Sequence, residues 1–358
     1  MMKKAEKTLE ETVMYPDAEK RRLSGRTVIV LLTFALILSI LCSFALGRYP
    51  VDLRELGGIL LDRLPFINIE PFWSSAQAAA VWNVRLPRIL LAVLVGACLS
   101  AAGAAYQGVF QNPIAAPDIL GASAGAGFGA ALAIFLGLGS AGITALAFVS
   151  SLITVFLVFS IGNRVKGEKT LGLVLAGIMI SSLFQAGTSF IKLVADPNNK
   201  LPAITYWLMG SLSGAKNEEL GFIIWPMLIG MLPLLAMRWR LTVITMGDEE
   251  ARAMGVDASK VRLAVVFGAT LVTAASVSVS GMIGWVGLVI PHMTRRLVGS
   301  DFRVLMPASV LAGGTFMLLV DDISRNLTSM EIPIGILTAV IGAPVFLLLI
   351  LRRDAWHA

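Results

Sequence analysis

The residues able to do chemistry are few, and their spacing argues against an enzyme. There are two histidines, His292 and His357, so no polyhistidine metal site can be built within one chain. The two cysteines, Cys42 and Cys98, both sit in apolar runs and form no disulfide or zinc framework. A nucleotide-binding G-x-x-x-x-G-K-[ST] loop is missing; the nearest fragment, Gly167-Glu168-Lys169-Thr170, lacks the Gly-Lys pair. Neither HExxH nor G-x-S-x-G occurs. The chain is therefore expected to bind no metal or cofactor and to catalyse no reaction itself.

The elements that position the remaining polar residues are membrane helices. The 358 residues are 56% hydrophobic and only 15% charged. A soluble domain carries about 25% charge, so the composition is that of an all-α polytopic membrane protein. A helix needs about 20 apolar residues to cross the hydrocarbon core. Ten candidates follow: 27–46, 86–106, 116–136, 142–162, 171–193, 220–237, 261–281, 284–297, 304–322 and 333–351. The first is an uncleaved span, since residues 1–26 hold twelve charges and no signal-peptide core. That charged tail favours solvent over packing. With both termini cytoplasmic, 20 of the 29 Lys and Arg fall inside, as the positive-inside rule requires. The net charge of +6 is thus assigned to cytoplasmic loops and not to nucleic acid.

Three connections stand out. Residues 47–85 form an outer loop in which Leu53, Leu56, Leu60 and Leu64 recur at helical spacing and predict a surface helix over 51–64. The outer stretch Asp196-Pro-Asn-Asn-Lys-Leu-Pro202 is charged and is expected to serve docking or gating. Residues 238–262 form the longest internal cytoplasmic loop, broken by Gly247 and Gly255. Within it, Asp248–Met254 reads as a short helix with acids at its start and Arg252 later, as the helix dipole prefers.

Ionisable residues are nearly absent from the helix centres; Asp321 and Asp322 come closest, near the outer end of the ninth segment. A proton-driven carrier usually needs such groups, so the driving energy is expected from a partner. Small residues abound, among them Gly96, Ser100, Gly103 and Ala104, and serve close packing as well as a moving pathway. The spacing from Arg88 to Pro117 equals that from Arg262 to Pro291, across runs of opposite direction. An inverted repeat relating helices 2–5 to helices 7–10 is one reading of that match.

Several motifs in order then resemble the FecCD-type permeases of ABC importers. They are Arg85-Leu-Pro-Arg88, Gln111-Asn-Pro-Ile-Ala-Ala-Pro-Asp-Ile-Leu-Gly121, Leu208-Met-Gly-Ser-Leu212 and Met254-Gly-Val256. The series continues with Gly281-Met-Ile-Gly-Trp-Val-Gly-Leu-Val-Ile-Pro-His292-Met-Thr-Arg295, Glu331-Ile-Pro-Ile-Gly-Ile-Leu-Thr-Ala339 and Gly342-Ala-Pro-Val-Phe346. The likeness spans a permease domain over 27–353, leaving the tails 1–26 and 354–358 outside.

The resemblance implies a homodimer of ten-helix subunits in the cell membrane. A binding protein would deliver a metal chelate outside, and two ATPase subunits carrying ATP and Mg would dock inside. It implies docking of the binding protein by Arg85, Arg88 and Arg325, whose forked guanidiniums suit carboxylates. It implies ATPase coupling by Glu249, Glu250, Ala251, Arg252, Met254, Gly255 and Val256. Gly103, Gln107, Gln111, Asn112, Pro113, Pro291 and His292 are the pathway or gating candidates. His292 is given a structural role near the ATPase face in preference to iron ligation. The leading cargo is a ferric siderophore, with corrinoid, haem and molybdate as alternatives. An ion-coupled secondary carrier and a transport-free receptor or scaffold are the rivals from other classes.

Overall fold

A computed structural model describes residues 24–63, 70–162, 164–165, 169–214 and 217–351. Most of the expected charged tail, Leu64 of the surface helix and the last residues lie outside the described residues. Among the described residues the chain is all-helical.

Helix α1 is Gly25–Ala45, and the surface helix α2 is Leu53–Asp62. Helix α3, Ser75–Val109, continues eleven residues earlier than its apolar run suggested. Pro87 explains part of this segment's shape. It has no N–H to return to the preceding turn, and residues Ala80–Arg85 widen into a π turn there. A 3-10 turn, Pro117–Leu120, leads into the short α4, Ala122–Phe135. Then come α5, Ser140–Gly162, and α6, Lys169–Val194. Helix α7, Lys200–Leu208, was not expected; its Lys200 and flanking prolines disguised it as a polar loop.

Helix α8 is Asn217–Ala236, and α9, Arg238–Ile244, turns off it at 54°. The helix expected at 248–254 is α10, Asp248–Ala253. The remaining helices are α11, Ala258–Ser280; α12, Val286–Val298; α13, Phe302–Asn326; and α14, Ile334–Leu351. Each of the ten expected membrane segments thus has a helix, though α4, α12 and α14 are shorter than a full crossing or barely reach one. The described chain starts and stops on one end of the bundle, which also carries α9 and α10; it is called here the loop end. The opposite end carries Arg85 and is the arginine end.

Helix α3 is the axis of the packing, with α13 and α11 laid against it and α1 outside α13. By contrast α1 turns Val30, Phe34 and Leu41 outward, and α8 does the same with Phe222, Trp225 and Leu232. Such faces are stable against lipid and would be costly in water. Lipid supplies no hydrophobic drive between helices, so close approach must supply dispersion contacts instead. The glycines provide it. A Cβ on Gly96 would lie 2.2 Å from the carbonyl oxygen of Gly313, and one on Gly313 would lie 2.3 Å from that of Gly96. A Cβ on Gly103 would lie 1.7 Å from the oxygen of Gly287. Backbone cannot step aside as a side chain can. Gly103→Ala should therefore lower stability by about 1–3 kcal/mol or more. Gly139→Ala, which meets no atom within 4 Å, should change it little. Thermal unfolding of the two purified variants checks the contrast.

Candidate functional site

Three chain breaks meet inside the bundle. Helix α7 ends at Gly210, α11 ends at Gly281, and α14 begins after Pro333. The N–H of Ser211 donates to Ser280 O at 2.8 Å, that of Ile334 to Gly210 O at 2.9 Å, and that of Gly335 to Met209 O at 3.1 Å. Backbone freed from helices has no water to bond within a membrane, so these mutual bonds are what permit the breaks. The close approach needs glycine: a Cβ on Gly335 would meet Met209 O at 2.4 Å. Between α11 and α12, Trp285 takes φ 71, a left-handed conformation that costs about 1–3 kcal/mol for such a residue. Its ring lies over Gly342 and edge-on to Phe346.

Beside this junction lies a cavity of about 820 Å³. One wall is Leu208, Met209, Met282, Ile283, Gly284, Trp285, Gly335 and Ile336; the other carries Ile119, Ile178 and the polar Asp118, Ser123, Ser181, Ser182 and Gln185. Sequence reasoning placed Asp118 at the very start of the segment 116–136 and did not count it among the acids within the membrane. The turn instead docks deep against α6. Gly177 accepts the approach of Ile119 O, and Gly121 sits against Ser181, midway along the 26 residues of α6. Asp118 is therefore an ionisable residue at membrane depth, which corrects the expectation that only Asp321 and Asp322 come near. Ser123 donates its hydroxyl proton to Asp118.

The pathway candidates do not line this cavity. Gly103 is the contact point of α3 with α12, described above. The amide of Gln107 donates to Leu288 O at 3.2 Å, and its oxygen accepts from Arg295 at 3.3 Å. The amide of Gln111 donates to Ile244 O at 2.9 Å, tying the end of α3 to α9. Asn112 closes its own turn by accepting from Ile114 N at 2.9 Å, next to Pro113. Pro291 is buried within α12, and His292 lies edge-on to Phe346. These residues are joints behind the cavity wall.

At the arginine end the three arginines do come together, but they point inward. Arg85, Arg88 and Arg325 are 4%, 7% and 6% exposed. Arg88 donates to both oxygens of Asp321 at 2.9–3.0 Å and to both of Glu331 at 2.9 and 3.0 Å. Arg325 donates to Asp322 and, at 2.5 Å, to the Ser43 hydroxyl. Arg85 donates to the carbonyls of Phe44 and Tyr49. Three cations thus meet three carboxylates and the carbonyls of Ser43, Phe44 and Tyr49, joining α1, α3, α13 and the strap before α14. The guanidiniums are bonded within the chain; among the described residues the exposed arginines at this end are Arg48, Arg54 and Arg63, of which Arg48 also donates to Arg325 O and Thr328 O.

At the loop end, α10 is set by Gly247 at φ 131 and Gly255 at φ 74, conformations that only glycine adopts freely. Arg262 donates to Asp248 at 2.6 and 3.0 Å and holds that carboxyl below its ordinary value. Ala251 and Val256 are buried beneath α10, so these two anchor the hairpin and do not offer contacts, contrary to the expectation. Glu249, Glu250, Arg252, Met254 and Gly255 face outward as expected. Met254 is 51% exposed, and Met246, which the sequence reading passed over, is 64% exposed.

The model of the FecCD transport family matches residues 35–352. The chain belongs to the FecCD transport family. It is 39% identical to the molybdate import system permease protein MolB of Haemophilus influenzae, over 95% of this chain and 98% of that one. It is 41% identical to the cobalamin import system permease protein BtuC of Halobacterium salinarum, over 76% and 74%. A probable iron chelatin transport system permease of Helicobacter pylori is 37% identical over 78% and 84%. A solved structure of a metal-chelate type ABC transporter in an inward-facing conformation superposes with a TM-score of 0.81. Its identity to this chain is 38%, and it covers 91% of this chain and 99% of that one. This FecCD protein is accordingly a multi-pass membrane permease of the ABC importer class.

The internal clamp makes a prediction of its own. Asp321→Asn removes one of the two carboxylates that hold the buried Arg88 guanidinium, and breaking a buried pair from one side costs about 3–5 kcal/mol. The melting temperature of the purified variant should fall clearly. Arg88→Met combined with Asp321→Leu and Glu331→Gln should fall less than Asp321→Asn alone, because neither the guanidinium nor its two carboxylates then remain charged.

Proposed function

We propose that this chain is the membrane pathway subunit of a binding-protein-dependent ABC importer. It works as a homodimer with both termini cytoplasmic, and the cavity beside the junction is its half of the pathway. The observation that carries the reading is the loop-end hairpin. It presents apolar Met246 and Met254 among Glu249, Glu250 and Arg252, on a rigid base of buried Ala251 and Val256. Exposed methionines ringed by charge are a surface made for a partner.

That partner is a pair of separate ATPase subunits holding ATP and Mg; this chain hydrolyses nothing. Motion of the hairpin would pass through two bonds already described. Gln111 connects α9 to α3, and Gln107 connects α3 to α12, which continues directly from the wall residues Met282–Trp285. Alternating access then follows from a small rotation of packed helices. The binding protein docks at the arginine end, where the exposed Arg54 and Arg63, stacked on Phe72 and Trp82, meet its carboxylates, while the buried clamp keeps α1, α3 and α13 in register under that load.

The cargo is a metal chelate, with a ferric siderophore first. Corrinoid, haem and molybdate are the cargoes next in order, all drawn from permeases of this kind. A secondary carrier would need no hairpin of this sort.

The test is co-purification followed by uptake. Met246→Glu with Met254→Glu should abolish recovery of a P-loop ATPase with the permease, and with it ATP-dependent uptake, while leaving the melting temperature unchanged. Uptake that persists in the double variant, or that proceeds without ATP, would falsify the importer reading.

A further inference from the structure

We propose that the groove between α5 and α11 is a site for one anionic phospholipid, with an acyl chain in the groove and the phosphate held by Arg164. The inference goes beyond the importer reading and needs neither cargo nor ATPase. The groove has a volume of about 470 Å³. Val155 and Val266 form its buried floor, and Phe156, Leu263 and Phe267 stand 61–70% exposed along its rims. Helix α5 runs toward the loop end and α11 runs away from it. Ser160 and Leu263 therefore share one end of the groove, and Leu152 and Thr270 share the other. From Leu152 to Ser160 the helix rises about 12 Å, against about 15 Å for the hydrocarbon of one leaflet. At the deep end the Thr270 hydroxyl is bonded to Tyr106 at 3.1 Å, which leaves that end apolar. At the loop end the Ser160 hydroxyl opens toward the headgroups. The groove thus has the length and the polarity gradient of a lipid chain in one leaflet.

Charge at the mouth selects the headgroup. Arg164 follows Ser160 by one turn and is exposed. On the facing helix, Lys260 is paired with Asp257 at 3.4 Å, and Arg262 is paired with Asp248 at 2.6 Å. Arg164 makes no ion pair among the described residues, so it is the uncompensated cation of this mouth. A guanidinium forks onto two phosphate oxygens. A zwitterionic lipid brings its own ammonium to the same place and cancels the attraction; a lipid of net negative charge does not. Leu263 adjoins Arg262, which holds α10, so the bound chain lies against the base of the loop-end hairpin.

The test uses the full-length permease in detergent, mixed with equal amounts of phosphatidylglycerol and phosphatidylcholine carrying the same chains. Native mass spectrometry counts the lipids retained. The unaltered protein is expected to hold one phosphatidylglycerol per chain in about fivefold preference to phosphatidylcholine, the advantage that one cation near a membrane surface confers. Arg164→Gln should bring that ratio close to one. Arg26→Gln, which removes an exposed arginine from the same end of the bundle, should leave it intact. Ser160→Trp, whose indole fills the mouth, should lose both lipids from the site. Glycerol phosphate, the headgroup without chains, should displace neither. Equal retention of the two lipids by the unaltered protein overturns the proposal, as does a preference that survives Arg164→Gln or disappears in Arg26→Gln. Displacement by glycerol phosphate would make this a phosphate site without a chain. A change of oligomeric mass in Ser160→Trp would make the groove a contact between protein chains. Either result overturns the lipid assignment, and neither touches the importer reading.

Discussion

Everything in this structure depends on satisfying backbone polar groups where helices stop inside a membrane. An unbroken helix takes care of its own N–H and C=O groups; a broken one exposes them in a medium without water. Here three breaks, at Gly210, Gly281 and Gly335, solve the problem jointly by bonding to one another. The solution needs backbones within van der Waals reach, hence glycine at each break and a tryptophan forced into a left-handed turn. It also creates the cavity, because short helices that end inside the bundle leave space beyond their ends. Packing, strain and the candidate pathway thus have one cause.

The two ends of the bundle use charge in opposite ways. At the arginine end, cations and carboxylates are matched and buried, so their net effect is to fix the mutual positions of α1, α3 and α13. Such a clamp contributes more to specificity of arrangement than to net stability, since desolvation offsets most of the attraction. At the loop end, charges are exposed and ring an apolar tip, which leaves that surface available. In the middle, Asp118 is neither matched nor in bulk solvent. The contrast follows from which groups the fold pairs, since the residue types at all three places are similar.

Much of the fold could be read from the residues. Each run of about 20 apolar residues fell on a helix, six of them long and apolar enough to cross a membrane, and Asp248–Met254 announced itself through Gly247, Gly255 and the order of its charges. What failed was information that lies far away in the chain. Nothing near Arg88 indicates that its charge is taken by Asp321 and Glu331, so a correct position at the arginine end gave an incorrect orientation. Alternation of exposed and buried residues around α10 could not be resolved over so short a helix, and Ala251 and Val256 were placed outward. Asp118 stood at the edge of the segment 116–136 and was passed over as a residue of the turn before it. Only the dive of that turn against Gly177 reveals its depth, and hydropathy along the chain carries no signal for it. Helix α7 was lost to Lys200, whose ammonium is in fact bonded to Phe135 O at 2.7 Å.

The clamp has a consequence for how the chain is made. Arg88 and Asp321 are separated by 233 residues. A ribosome adding roughly 5–20 residues per second needs on the order of 10–50 s to deliver the second after the first. Throughout that interval α3 holds a guanidinium whose counter-charge has not been synthesised, so α3 cannot settle into lipid on its own terms and must be sheltered at the translocation site or tilted to reach headgroups. The central helix of the finished bundle therefore gains its counter-charge only after α13 has been made.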